Sequence, residues 1–295
     1  MNRRLLLPFA FALSILAPVV AQGSAAAAQA TKSKAVVPSP PAPAPCTQFF
    51  LGGQAPTGGP SGRLICHSFY AISYSTTLRD PVWTSYRQTR AMSEGGDRVG
   101  RLKIKFRPQP GLTAAEQGAH GDYVHPPYDR GHLTPADDAE DLPHQSDTFV
   151  ITNVVPQVLQ LNEGLWQYLE ASVHRLAETE GEVFIVTGAT FAATPPLMHR
   201  PRQTGRIAVP DATFKAIYIP SRQIALGFFA TNANPTVCTV MSVADLTRLT
   251  GVDPFPSLPA AVRATLPSFT LPQGVHHSGG HDQLVPRPDC HPAAH

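Results

Sequence analysis

The chain has 295 residues, and 23 Lys plus Arg against 21 Asp plus Glu leave a formal charge of +2. Setting aside Arg3 and Arg4 brings the balance to zero (23 − 2 = 21 against 21), so bulk charge does not carry the basic excess that marks many nucleic-acid binders. The four cysteines include no closely spaced pair, which argues against a cysteine-ligated zinc cluster.

Arg3 and Arg4 precede an apolar run from Leu5 to Val20, broken by Pro8 and Pro18, with small residues suited to cleavage at Val19-Val20-Ala21 or Ala28-Gln29-Ala30. This pattern predicts a secretory signal over residues 1–30, and hence a periplasmic or secreted protein with no stable membrane association after cleavage. A membrane anchor is the competing reading; it needs about 20 predominantly apolar residues, which the two prolines and the Ala-rich continuation do not provide. Residues 31–45 hold Pro38, Pro40, Pro41, Pro43 and Pro45 and read as an extended linker. Residues 46–272 suffice for one domain with a substantial core and are short for two. Residues 273–295 carry five of the 12 histidines, His276, His277, His281, His291 and His295, without hydrophobic periodicity. They are expected to be a disordered tail, with metal binding by clustered imidazoles as the alternative.

In an exported chain Cys46, Cys66, Cys238 and Cys290 are expected to be paired. Four cysteines allow three connectivities and sequence does not choose among them. The working expectation joins Cys46 to Cys66 in a short loop and leaves Cys238 with Cys290 to tie the tail to the domain.

Strand-like runs rich in branched and aromatic residues occur at 64–75, 102–106, 148–152, 183–187, 214–219 and 224–229. In Arg101-Leu102-Lys103-Ile104-Lys105-Phe106-Arg107 basic and apolar residues alternate strictly. As a strand this segment would turn four positive charges outward, either to follow a phosphate backbone or simply to be solvated. Leu165, Leu169, Val173 and Leu176 recur at helical spacing with Gly181 as the stop. Ser242 and Asp245 resemble a capping box for a helix ending near Gly251, and a further short helix can begin after Pro259. Strands outnumber helices and come in groups, so the predicted class is α+β with a mainly antiparallel sheet.

The most specific chemistry lies between Tyr128 and Glu170. Tyr128 to Leu133 and Thr148 to Thr152 read as two strands joined by an acidic loop over 135–147, followed through Pro156 by a helix beginning near Asn162. Asn162, Trp166 and Glu170 are four apart, so Asn162 and Glu170 share one side of such a helix. Phosphodiester hydrolysis needs an activated water, a cation on the phosphate oxygens and extra positive charge for the transition state. His132 is the candidate base, Asn162 the candidate protein ligand to the ion and Glu170 its water-mediated partner. Arg130 is the candidate charge clamp. Each residue also has a plainer explanation. His132 could be structural, Asn162 an N-cap, Glu170 a solvated helix residue, and Arg130 a partner of Asp129. Order and spacing together favour the catalytic reading.

The segment resembles the DNA/RNA non-specific endonuclease family, whose ββα-metal motif reads Asp-Arg-Gly-His, Asn-x-x-Pro-Gln, then Asn-x-x-x-Trp with Glu four residues on. Those elements stand here as Asp129 to His132, Asn153 with Pro156 and Gln157, Asn162 with Trp166, and Glu170. The resemblance extends more loosely to Trp83 with Tyr86, to Val186-Thr187-Gly188 and to Phe214-Lys215-Ala216. It implies an endonuclease that cuts DNA and RNA with one hydrated Mg2+, or Mn2+, and leaves 5′-phosphates. By position it implies His132 as general base, Asn162 as metal ligand, Asn153 and Glu170 as organisers of the site and its waters, and Arg130 as an aid at the phosphate. The family's upstream arginine corresponds to either Arg101 or Arg107, both taken as substrate-binding candidates. Trp166 reads as core. The rival readings are a secreted metal-binding or adhesion module, in which the tail histidines act, and a phosphodiesterase of the same fold with a narrower substrate range.

Overall fold

The structure, a computed structural model, describes residues 46–123, 127–198, 206–278 and 281–293. The signal and linker expected over 1–45 lie outside the described residues. Nine strands of the domain are β1 (Arg63–Cys66), β2 (Tyr70–Ser75), β3 (Asp80–Thr89), β4 (Tyr128–His132), β5 (Val154–Val158), β6 (Glu182–Thr190), β7 (Ala212–Ile219), β8 (Ile224–Thr231) and β9 (Cys238–Met241). The tail adds β10 (Val275–Ser278), β11 (His281–Leu284) and β12 (His291–Pro292). Five helices, α1 (Arg90–Asp97), α2 (Leu142–Thr148), α3 (Gln167–Glu180), α4 (Val243–Thr250) and α5 (Ala260–Ala264), complete the α+β architecture expected.

An eight-stranded sheet runs in the order β12-β9-β8-β7-β6-β3-β2-β1. Its pairs are antiparallel except β9 with β12. Successive side chains of a strand point to opposite faces, and here both faces are covered, so the central strands are buried almost throughout. On one face Tyr70, Ile72, Tyr86, Ile185 and Ile217 pack with Trp166, Leu169, Val173 and Leu176 at and after the turn that leads into α3. On the other, Val82, Trp83, Val186, Phe214 and Ala216 pack with Phe49, Phe50, Leu246 and Phe255. The neighbours Ile185 and Val186, and Ala216 and Ile217, thus serve different cores.

Helix ends follow the sequence signals. Ser242 accepts from the Asp245 amide at the start of α4, and Gly251 closes it in the left-handed conformation at φ 73°. Gly181, at φ 92°, ends α3. Among the described residues no helix is long and apolar enough to cross a membrane.

Five sequence expectations change. The run 64–75 is a hairpin, β1 and β2, rather than one strand. The alternating 102–106 segment is irregular: the Leu102 amide donates to the Gln145 side chain at 2.6 Å, and only Arg107 forms a bridge, parallel to Val150. The charged outer row therefore does not form. The expected strand 148–152 is instead the end of α2 and a 3-10 turn, Ile151–Asn153. The loop expected over 135–147 contains α2, capped by Asp141, whose carboxylate accepts from the His144 amide at 2.9 Å. The tail expected to be disordered carries the β10–β11 hairpin, and β12 joins the main sheet. Both disulfides follow the expected connectivity, Cys46–Cys66 and Cys238–Cys290, with Cα separations of 5.7 and 4.6 Å.

Candidate active site

The site is a two-stranded hairpin followed by a helix. β4 pairs antiparallel with β5, setting His132 opposite Val154, Arg130 opposite Pro156 and Gly131 opposite Val155. The hairpin can close at Gly131 only because that residue lacks a side chain: a Cβ there would stand 2.2 Å from Gln157 Cδ. After β5 the chain makes a π-helical turn, Leu161–Trp166, before entering α3. Gly164 breaks the regular helix at φ −110° and ψ −108°, so Asn162 and Glu170 do not sit on one straight α-helix, as their spacing suggested. π-helical turns concentrate at functional sites. Trp166 is 1% exposed and its indole N–H donates to the His132 carbonyl at 3.4 Å, tying helix to hairpin as a core residue.

One cleft of about 450 Å³ is lined by Arg101, Arg130, His132, Asn162 and Glu170, with Asp137, Glu163 and Gln167 at its sides. His132 is 8% exposed; its ring lies 5.1 Å from Phe106 and 5.6 Å from Phe149. Its Nε2 is buried without a hydrogen-bond partner. Burial first, and then the charges of Arg101 and Arg130, hold its pKa down to about 3. Arg130 rests over Phe106 at 5.4 Å and Tyr123 at 6.0 Å and, among the described residues, forms no ion pair. Asp129 instead accepts from Asn162 Nδ2 at 3.2 Å, which orients that amide and leaves Oδ1 as its acceptor. Glu170 Oε1 is buried and unpartnered. Desolvation pushes this carboxyl up, against the pull of Lys215, while Asp138 and Asp137 add to the rise.

The upstream arginines separate. Arg101 enters the cleft, 3.1 Å from Asp137 and 5.7 Å above the Phe149 ring. Arg107 does not line it; its guanidinium bonds Asp147 at 2.8 Å and the Ser146 carbonyl. Asn153, expected beside the catalytic groups, is fully buried and its side chain is spent on backbone. Its Oδ1 accepts from Thr134 N at 3.0 Å, while Nδ2 donates to the Thr134 and Thr148 carbonyls at 2.9 and 3.1 Å. It locks the chain leaving β4 to the chain entering β5, so its place is that of a positioning residue.

Sequence reasoning missed the polar layer behind the cleft. Lys215 on β7 is fully buried; its Nζ donates to Thr187 Oγ1 at 2.8 Å and lies 5.3 Å over the Trp166 ring. Asp138 accepts from Tyr86 at 2.6 Å and contacts His174 at 2.8 Å. A lysine in the middle of the apolar strand Ala212–Ile219 was the available signal, since an isolated buried ammonium needs partners.

The donors facing the cleft, an amide oxygen and carboxylates, are the hard oxygen set that suits Mg2+ rather than a soft metal. The orphaned Glu170 oxygen is consistent with a partner outside the chain.

The antiparallel sheet with a ββα unit against one face defines the architecture of a ββα-type nuclease. A sequence profile of the family described as DNA/RNA non-specific endonuclease matches residues 54–261, and the chain belongs to that family and is a nucleic-acid hydrolase. It is 29% identical over 228 residues to "Nuclease C1" of Cunninghamella echinulata var. echinulata, covering 72% of this chain and 90% of the relative. It is 27% identical over 227 residues to the human protein named "Nuclease EXOG, mitochondrial", of whose length it spans 59%, with 69% of this chain covered. A solved structure titled as the EndoG/EndoGI complex, on the mechanism of EndoG inhibition, superposes with a TM-score of 0.58 at 25% identity, over 66% of this chain and 86% of that one.

Proposed function

We propose that this protein is an exported, sugar-non-specific endonuclease that hydrolyses DNA and RNA phosphodiesters with Mg2+, Mn2+ substituting, and leaves 5′-phosphates. The observation that carries the reading is the convergence of His132, Asn162, Glu170, Arg101 and Arg130 on one cleft.

His132 is neutral at physiological pH, so its unpartnered Nε2 can take the proton of the attacking water. The imidazole is a weak base because burial, and after it the charges of Arg101 and Arg130, oppose its protonation. A substrate phosphate neutralises those guanidiniums and raises the basicity as it binds. Arg101 and Arg130 hold the non-bridging oxygens and meet the charge that grows in the transition state. Asn162, oriented by Asp129, and Glu170, directly or through water, would hold the ion. When bound, Mg2+ supplies positive charge to the phosphate and leaving oxygens. All these groups address phosphate or water and none reads a base edge, which accounts for indifference to base and sugar. Export is supported by the signal-like N-terminus and by two disulfides, which persist in oxidising compartments.

The test is digestion of supercoiled plasmid, single-stranded DNA and RNA by purified protein, with chelator and with Mg2+ restored. All three substrates should be cut, chelator should stop the reaction, and His132→Ala should lower kcat by roughly 10²- to 10⁴-fold with the fold intact. Full activity in that variant, or in chelator, ends the proposal; cleavage of only one substrate favours a narrower phosphodiesterase.

A further inference from the structure

We propose that Asp97, His174 and Glu178 form a second cation site, of zinc type, that joins α1 to α3 behind the cleft and is separate from the catalytic ion. His174 and Glu178 are four residues apart on α3 and so share a face, and Asp97 is the last residue of α1. One ligand atom from each lies within 4.8 Å of the others. His174 Nε2 stands 3.3 Å from Asp97 Oδ1 and 4.0 Å from Glu178 Oε1. Tetrahedral zinc with N and O ligands at about 2.0–2.2 Å sets neighbouring donors roughly 3.3–3.5 Å apart, so small side-chain shifts suffice.

Two further observations point to an ion. His174 is only 8% exposed, and its Nε2 reaches no partner nearer than the 3.3 Å ion pair with Asp97. Its Nδ1 lies 2.8 Å from Asp138 Oδ1, the carboxylate–histidine arrangement that orients a ligating imidazole and leaves the opposite nitrogen for metal. Arg175 engages Glu178 through Oε2, which keeps Oε1 on the side of His174. Beside the cluster a cavity of about 50 Å³, lined by Asp97, Asp138 and His174 and bordered by Arg101, Asp137 and Glu170 of the cleft, has room for a water as fourth ligand. The mixed imidazole and carboxylate set suits zinc better than magnesium. The rival arrangement is a histidinium held between Asp97 and Asp138 with no ion.

The test titrates Zn2+ into chelator-treated full-length protein kept in saturating Mg2+, followed by calorimetry and by the visible absorption of a Co2+-substituted sample. Wild type and Asn162→Ala should bind one equivalent that Asp97→Asn and Glu178→Gln each weaken by roughly 10- to 100-fold, and Zn2+ should raise the Tm of wild type. Zinc binding unchanged in both of those variants belongs to the tail histidines or the cleft and overturns the proposal, as does binding lost in Asn162→Ala. Should Asp97→Asn fail to fold, Glu178→Gln decides: a tetrahedral Co2+ band at one equivalent in wild type that weakens in this variant upholds the site, and a band unchanged there, or absent from wild type, removes it.

Discussion

His132 combines two properties that pull against each other, burial and the proton transfer proposed for it. Packed between Phe106 and Phe149, its imidazole titrates near 3 instead of 6.5. The unfolded chain therefore binds a proton below about pH 6.5 that the native state refuses until far lower. Its stabilising contribution is complete above pH 6.5 and is lost as pH falls towards 3. His132→Asn should flatten stability against pH in that window, measured by urea unfolding at stepped pH; equal slopes in both proteins would show that the ring is not held neutral. The two arginines divide as sharply. Arg101→Ala removes a cleft cation and should lower kcat/KM by roughly 10²-fold or more, while its half-exposed pair with Asp137 contributes at most about 1 kcal/mol to folding. Arg107→Ala should leave kcat/KM within a few-fold of wild type, because that guanidinium serves Asp147 and the end of α2. Reversed effects would mean that the wrong arginine has been placed at the phosphate.

At the scale of elements, the hairpin and the π-helical turn decide the site. β4 and β5 approach at Gly131, where Gln157, itself fully buried, fills the space of a Cβ. Gly131→Ala should cost about 1–3 kcal/mol through overpacking. It should also depress activity more than stability alone explains, since a displacement of about 1 Å in His132 can cost 10²-fold in rate. Adding Gln157→Ala should recover part of both, read as a double-mutant cycle by thermal unfolding and plasmid cleavage; strict additivity would mean the contact is not the cause. Periodicity misled at 102–106 because alternation describes a side-chain pattern, not a partner. With no strand beside it, the Leu102 amide turned to Gln145 and the segment became the bent strap that delivers Arg101 to one side and Arg107 to the other.

Across the whole molecule the cleft and the C-terminal seam are built from different parts of the chain. Cys238–Cys290 spans 52 residues and anchors β12 beside β9, and none of its elements lines the cleft. By loop-closure entropy it stabilises the fold by about 4 kcal/mol. The paired Cys238→Ser and Cys290→Ser protein should be destabilised by up to that amount in urea unfolding while retaining cleavage per folded molecule; loss of activity in a fully folded variant would show that the tail supports the cleft. The amino-acid sequence by itself determined what short-range chemistry controls. Its cap residues set the ends of α3 and α4, and the order from Asp129 to Glu170 marked the catalytic unit, because those residues lie within a hairpin and a helix of one another. Tertiary structure alone decided which arginine faces the cleft, why Asn153 is consumed by Thr134 and Thr148, and how Lys215 and His174 come to lie behind the cleft. Those outcomes depend on partners far away in the chain, 36 residues for Arg101 with Asp137 and 40 for Arg107 with Asp147, and a buried charge settles where the folded sheet supplies one.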